Sequence, residues 1–364
     1  IREAMLQALG ERESRAGDRF ALAMAAAAEP VPPLNYASGG SAFLRPTSLD
    51  DLVRVLAGNP DAELVAGATE IGVYRNKRFQ DFPLLVSTDG VAELRAIERT
   101  EEGWRIGGGA TLTDLEDTVA DEVPALGRMI NVFASRQIRN RATVAGNLIT
   151  ASPIGDLAPV LLALDATVIL RGPDGEREVA LSDFFTGYRQ TLRQPHEVLT
   201  QIRIAHPDPG TESMSFKVSK RRELDIAIVS ACFSVTLSKD GRVRGARLAY
   251  GGVAATPLRA TATEQALIGR PWHLNTVRDL RPILEAEFTP IDDVRSGAAF
   301  RRDLVCSLLE KFVMGDFAPD VEGPLTFAID ASFDDSRKAA ESFALHHESG
   351  IGHATGRARY VDDA

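Results

Sequence analysis

The sequence predicts an α+β fold, and three observations carry that reading. A strand-rich run includes Phe216, Ile228–Leu237 and Val243–Tyr250, with the turn Lys239-Asp240-Gly241 between the last two. Helical periodicity follows at Thr261–Ile268, Thr276–Glu287 and Ser296–Met314. Upstream of both, strand and helix signals alternate from about Phe43. Strands followed by a run of helices predict a sheet covered by helices on one side. The 364 residues allow two or three folding units at ~150 residues each.

The elements can be justified in order. Residues 1–40 open with a helical pattern, then pass through the alanine-rich Ala21–Ala28, through Pro30, Pro32 and Pro33, and end at Gly39-Gly40. That density of proline and glycine predicts a linker. Ser48 is placed to cap a helix whose first turn carries Asp50 and Asp51, with Leu49, Leu52, Val53 and Leu56 on one face. Asn59-Pro60-Asp61 stops it, Glu63–Ala66 reads as a strand, and Gly67 breaks that strand. Leu84–Ser87 and Trp104–Gly108 carry strand signals; Leu126, Met129, Ile130 and Phe133 restore the helical period. Asp156 can cap a helix over Leu157–Leu164, and Thr167–Leu170 with Glu176–Ala180 reads as a hairpin. Asp316–Ser342 has few periodic apolar positions and reads as a second linker.

Composition excludes several function classes. Lys and Arg number 41 against 51 Asp and Glu, a net charge of −10. A general nucleic-acid binder would need the opposite balance. Only Cys232 and Cys306 are present, too few for a four-thiolate cluster, and buried thiols are expected. There is no apolar run of ~18 residues and no signal-peptide pattern, so the expected compartment is cytoplasmic. His346, His347 and His353 cluster without a cysteine or carboxylate at ligand spacing, so no metal site is expected. No hydrolase motif occurs.

Three glycine-containing loops could carry chemistry. Leu64-Val65-Ala66-Gly67-Ala68-Thr69-Glu70-Ile71-Gly72 ends a strand with small residues, which can form an anion nest or a plain turn. Its spacing is not the Rossmann fingerprint. Ile106-Gly107-Gly108-Gly109-Ala110-Thr111 reads as structural when taken alone. Thr143–Pro153 with Gly155-Asp156 combines small residues, hydroxyls and a carboxylate. Arg136, Arg139 and Arg141 upstream could balance a diphosphate or form a solvated basic face. Phe133 could be core or a ligand platform, and Lys217, between Phe216 and Val218, could face solvent or a flavin. Lys220–Asp225 reads as an exposed loop.

Together these segments resemble a known family. The Leu64–Gly72 loop, Ile106–Leu115, Val132–Leu148 and Ser152–Asp156 are similar to the FAD domain of the xanthine dehydrogenases, within the molybdenum hydroxylase family. Phe184–Arg189, Phe216-Lys217, Arg221-Arg222-Glu223 and Tyr250-Gly251-Gly252 extend the resemblance over roughly residues 41 to 315.

The resemblance implies a two-part FAD-binding domain of the vanillyl-alcohol-oxidase/CO-dehydrogenase-flavoprotein type over residues 41–206, and an α+β C-terminal domain over 207–315. It implies that Leu64, Val65, Ala66, Gly67, Ala68, Thr69, Glu70, Ile71 and Gly72 cradle the FAD diphosphate. Thr143, Gly146 and Asn147 would continue those contacts, Phe133 and Leu199 would line the isoalloxazine, and Lys217 would bond its polar edge. Asp156 would bind adenosine-side or ribose groups, and Tyr188 would stand on the nicotinamide side. Catalysis would need no side-chain acid or base. Where mammalian members carry two adjacent acids near the flavin, this sequence has Leu224-Asp225.

The implied activity is that of an oxidoreductase component: purine hydroxylation at a molybdenum–molybdopterin cofactor, transfer through 2Fe–2S clusters to FAD, and hydride delivery to NAD⁺. Clusters and molybdenum would lie on partner chains or neighbouring segments, the assembled unit would be a dimer, and nucleic acid and membrane would play no part. Residues 1–40 would follow an iron–sulfur domain, and 316–364 would lead into the molybdenum-binding part, so the chain reads as a module of a longer one. Competing readings are an aldehyde oxidase or CO dehydrogenase flavin module and a non-catalytic assembly module.

Overall fold

The computed structural model describes residue 22, residues 32–221 and residues 224–315. Order begins earlier than Phe43. Strands β1 (Leu34–Ser38) and β2 (Ser41–Arg45) form a hairpin. Gly39 and Gly40 turn it, with φ of 58° and 85°. A two-residue turn with both φ values positive matches the twist of paired strands, so the glycines read as linker are a hairpin signal. The rest of the expected leading linker, 1–21 and 23–31, and all of 316–364 lie outside the described residues.

Helix α1 (Leu49–Gly58) forms as its cap and apolar face predict: Ser48 Oγ accepts from the Asp51 N–H, and Leu52, Val53 and Leu56 are buried. After β3 (Glu63–Val65) comes α2 (Ile71–Arg78), which periodicity does not reveal because it buries no residue. β4 (Leu84–Ser87) completes a four-stranded sheet of order β1-β2-β4-β3, with β2 and β3 parallel to β4. β3 is an edge strand, and the loop after it opens into the cleft described below.

The second subdomain follows a short turn at Ala92–Arg95. Its elements are β5 (Ile97–Arg99), β6 (Gly103–Gly107), α3 (Leu112–Val119), α4 (Pro124–Asn131), α5 (Arg136–Arg139), α6 (Val144–Ile149), α7 (Leu157–Ala163), β7 (Thr167–Gly172), β8 (Gly175–Ala180), α8 (Leu181–Phe184), β9 (Phe185–Gly187), β10 (Gln190–Thr191) and β11 (Val198–Ala205). The main sheet runs β5-β6-β11-β7-β8 with antiparallel pairing, and the β7–β8 hairpin is the expected one. Its core joins Ile106, Leu126, Leu161, Leu170, Phe184 and Ile202. Two expectations need correction. Phe133 lies beyond the end of α4, and Asp156 makes no capping bond to α7 because its side chain is engaged elsewhere.

The C-terminal domain is a meander, β12 (Thr211–Val218), β13 (Val229–Leu237), β14 (Val243–Gly251) and β15 (Leu258–Arg259), in sequence order. Four helices follow: α9 (Thr261–Leu267), α10 (Leu274–Asp279), α11 (Arg281–Ala286) and α12 (Ala298–Met314). The helix expected over 276–287 is two helices. Pro282 sits in the first turn of α11, where its missing N–H costs nothing, whereas inside one long helix it would break the ladder.

The sheet is covered on both faces, not one. Phe233 meets Phe312 of α12 at a ring separation of 5.7 Å. On the other face Cys232 and Ala249 join the FAD-domain core, and Ser215 Oγ donates to the Ala125 carbonyl at 2.6 Å. Double coverage explains why β13 is buried on both faces from Val229 to Thr236, including the hydroxyl residues Ser230, Ser234 and Thr236. Both cysteines are buried, and burial pushes the Cys306 thiol up to about 12.

Candidate functional site

A cleft of about 500 Å³ runs between the β3–α2 loop on one side and the second subdomain on the other. The loop contributes Leu64 and Ala66 through Ile71. The opposite wall contributes Gly108, Gly109, Phe133, Thr143, Gly146, Asn147 and Leu199. A smaller polar recess of about 260 Å³, lined by Asp89, Arg95, Asn140 and Arg141 among others, shares Ala66, Gly67, Thr88, Gly109 and Thr143 with the cleft. The site residues suggested by three separate sequence segments thus converge on one continuous channel.

The loop is built to approach other backbone closely. A Cβ on Gly67 would lie 1.7 Å from the Arg141 carbonyl oxygen, so only glycine fits between this loop and the α5–α6 connection. Gly108 is similar: a Cβ there would lie 2.1 Å from the Leu199 oxygen at the cleft wall. Beyond Gly67, Ala68 takes the left-handed conformation, φ 59°, which is strained for a residue with a Cβ. Among the described residues, the backbone N–H groups of Gly67, Ala68, Thr69 and Glu70 donate to no acceptor. Consecutive free N–H groups around a left-handed residue form an anion-binding concavity.

On the opposite wall, Thr143 caps α6: its Oγ1 accepts from the Gly146 N–H at 3.1 Å. Asn147 follows one residue later, and its Oδ1 is buried without a partner. A buried acceptor left open costs roughly 1–3 kcal/mol unless a ligand completes it. Free donors on one wall and an open acceptor on the other suit a long polar ligand such as a dinucleotide.

Several expected site residues sit elsewhere. Val65 is in the protein interior and Gly72 is the second residue of α2; neither lines the cleft. Tyr188 stands 63 % exposed in the β9–β10 turn, beside Arg189 and outside the cleft lining. Lys217 does not face solvent. Its Nζ donates to Asp156 Oδ2 at 2.6 Å and to the Val132 carbonyl at 3.0 Å, with side chains only 3 % and 9 % exposed. Burial pushes the Asp156 carboxyl up, and the Lys217 charge offsets this only in part. The free Asp156 Oδ1 is a second buried acceptor without a partner. This pair fixes the backbone just before Phe133, whose own carbonyl accepts from Arg139 Nη1 at 2.9 Å.

Of the upstream arginines, Arg136 and Arg139 pair with Glu116, at 2.8 and 3.3 Å, while Arg141 lines the recess and meets Asp89 at 3.4 Å. Lys220, Arg221 and Leu224 are exposed and Asp225 is half-buried, while Arg222 and Glu223 lie outside the described residues, as do His346, His347 and His353. No group of three or more His, Cys, Asp or Glu among the described residues could hold a metal. Nor is any described helix long and apolar enough to cross a membrane.

Sequence reasoning missed how Tyr74 and Arg189 hold Glu70 at the cleft wall. Glu70 does not point its carboxylate at an open site. Its Oε1 accepts from Tyr74 Oη at 2.7 Å and from Arg189 Nη1 at 2.9 Å, and its Oε2 accepts from Thr150 Oγ1. Arg189 Nη1 also donates to Tyr74 Oη at 2.5 Å. Burial alone would raise the Glu70 carboxyl, but these three donors and the Arg189 charge hold it below the usual range. The arginine belonged to the Phe184–Arg189 segment, but nothing local marks it as the partner of an acid 119 residues away.

Comparison with known proteins agrees with this geometry. A family described as the FAD binding domain in molybdopterin dehydrogenase matches residues 37–207, and the CO dehydrogenase flavoprotein C-terminal domain matches 214–315. The xanthine dehydrogenase/oxidase of Gallus gallus is 35 % identical over 300 residues, 78 % of this chain and 22 % of that protein. A nicotinate hydroxylase of Emericella nidulans is 34 % identical over 365 residues, 91 % of this chain and 27 % of that protein. The chain thus spans about a quarter of the length of these relatives. Among solved structures, reconstituted CO dehydrogenase from Oligotropha carboxidovorans superposes with a TM-score of 0.71 at 27 % identity, over 76 % of this chain and 97 % of that one. The channel between two subdomains, the sheet-and-helix C-terminal domain and these matches lead to one conclusion: the chain belongs to the FAD-binding flavoprotein modules of the molybdenum hydroxylase family.

Proposed function

We propose that this chain is the flavin module of a xanthine dehydrogenase. In that role it would receive electrons from iron–sulfur clusters after a purine is hydroxylated at a molybdenum cofactor on a partner chain or segment, and pass hydride to NAD⁺. The observation that carries the reading is the run of unsatisfied N–H groups from Gly67 to Glu70 at the cleft wall, inside the region matched by the FAD domain. Bound FAD supplies a carrier that takes electrons singly and releases them as hydride.

This chain's residues bind and orient. The loop N–H groups take the diphosphate, and Thr143, Gly146 and Asn147 extend the contacts, with Asn147 Oδ1 the open acceptor. Phe133 and Leu199 form apolar walls for the ring system. Lys217 and Asp156 act from behind Phe133, where Asp156 Oδ1 remains free to accept a bond. Tyr188, exposed beside the cleft end, is the candidate for the nicotinamide side.

The test is anaerobic. The purified chain loaded with FAD should be bleached by NADH, with loss of flavin absorbance. Retention of oxidised flavin under excess NADH would exclude NAD as the partner and favour the CO dehydrogenase type of module.

A further inference from the structure

An acid stands where an anion is to be held. Glu70 directly follows Gly67, Ala68 and Thr69, which line the cleft and whose N–H groups donate to no described acceptor. A bare carboxylate there would oppose a diphosphate, since like charges a few ångströms apart repel strongly in a partly desolvated site. Yet the carboxylate is useful: its two oxygens take bonds from Tyr74 on α2, from Thr150 at the end of α6 and from Arg189 in the β9–β10 turn. Three donors on three elements fix the end of the loop, and a neutral amide could not accept from all of them. Arg189 reaches Glu70 with a left-handed backbone, φ 56°, at a non-glycine position.

We propose that Arg189 is a positioning residue for the cofactor diphosphate: it neutralises Glu70, so that the anion-binding loop can be anchored by an acid without repelling its ligand. The inference rests on the FAD reading above. Arg189 acts through Glu70, and its effect is one of charge.

The experiment is a fluorescence titration of the 364-residue chain with FAD and, separately, with uncharged riboflavin. Arg189→Met should weaken FAD roughly tenfold, the loss shrinking at high salt as screening removes the repulsion. Riboflavin affinity should not change. Adding Glu70→Gln to Arg189→Met should recover most of the lost FAD affinity, which no purely structural role for Arg189 would produce. Arg189→Lys, keeping the charge, should stay near the wild-type value. The proposal is overturned if Arg189→Met binds FAD normally, or if the double variant is as weak as Arg189→Met. Should Arg189→Met fail to fold, the lysine variant decides: wild-type affinity supports a charge role, and a tenfold loss overturns it. No FAD uptake by the wild-type chain would overturn the functional reading itself. Normal uptake with an unaffected Arg189→Met overturns this inference alone.

Discussion

The cleft and the C-terminal domain differ in how they treat their polar groups. In the C-terminal domain, buried Arg301 directs Nη1 to the Ile228 and Gly252 carbonyls at 2.8 and 2.7 Å and Nη2 to Asp293 at 2.7 Å, although its Nε and the Ser230 hydroxyl are buried without a partner. Glu264 likewise accepts from the Leu248 N–H and from Arg259. In the cleft, a run of N–H groups and the Asn147 oxygen stay open, and Ala68 holds a strained backbone. Open donors, an open acceptor and strain cost stability, and such costs concentrate where a ligand completes the structure. The channel gathers open backbone donors on one loop beside a strained residue, which is what a site completed by a bound cofactor would show.

This contrast can be broken by substitution. Gly67→Val should have the largest effect on function, because its Cβ would collide with the Arg141 carbonyl. The loop must move, and FAD affinity should fall at least a hundredfold in a fluorescence titration, while the C-terminal domain stays folded by circular dichroism. Arg301→Met should do the reverse. It strands two carbonyls and Asp293, and should cost about 3 kcal/mol of stability in denaturant melts, with FAD affinity of the folded fraction unchanged.

Acid should sharpen the same comparison. Burial would raise the Asp293 carboxyl, but its backbone hydrogen bonds and Arg301 hold it down at about 2. Because the folded value lies below the ordinary one, this stabilisation is present above roughly pH 4 and is lost as pH falls toward 2. Melts of the wild-type chain should show that acid loss, and Arg301→Met should flatten it. Ala68→Gly should have the smallest effect. Relief of the left-handed strain offsets the added freedom of the unfolded chain, leaving stability within about 1 kcal/mol of wild type in the same melts.

How much was legible in the sequence follows from range. α1 was readable because its cap, acids and apolar face all lie within a few residues. α2 was not, because it packs no side chain into a core and so shows no periodicity. The first hairpin was misread because the same two glycines signal a turn or a linker, and only the pairing of β1 with β2 decides. For the site, the loops carried their own glycine and hydroxyl signals, and most of them meet at the cleft. Lys217 could be read either way from its neighbours, and the resemblance favoured the flavin side. Alternation with apolar neighbours pointed it to solvent, whereas Asp156, 61 residues away, holds it inside. Glu70 was legible as part of the loop but not as an anchored acid, since Tyr74, Thr150 and Arg189 meet it only in the folded chain.

The central claim is that the free N–H groups beside Ala68 hold the diphosphate of FAD. The most direct measurement is a side-by-side titration of the purified chain with FAD and with riboflavin, which carries the same ring system and no phosphate. FAD should bind one to one with shifted flavin absorbance, and riboflavin at least a hundredfold more weakly. Equal affinity for the two, or no binding of FAD, would contradict the account.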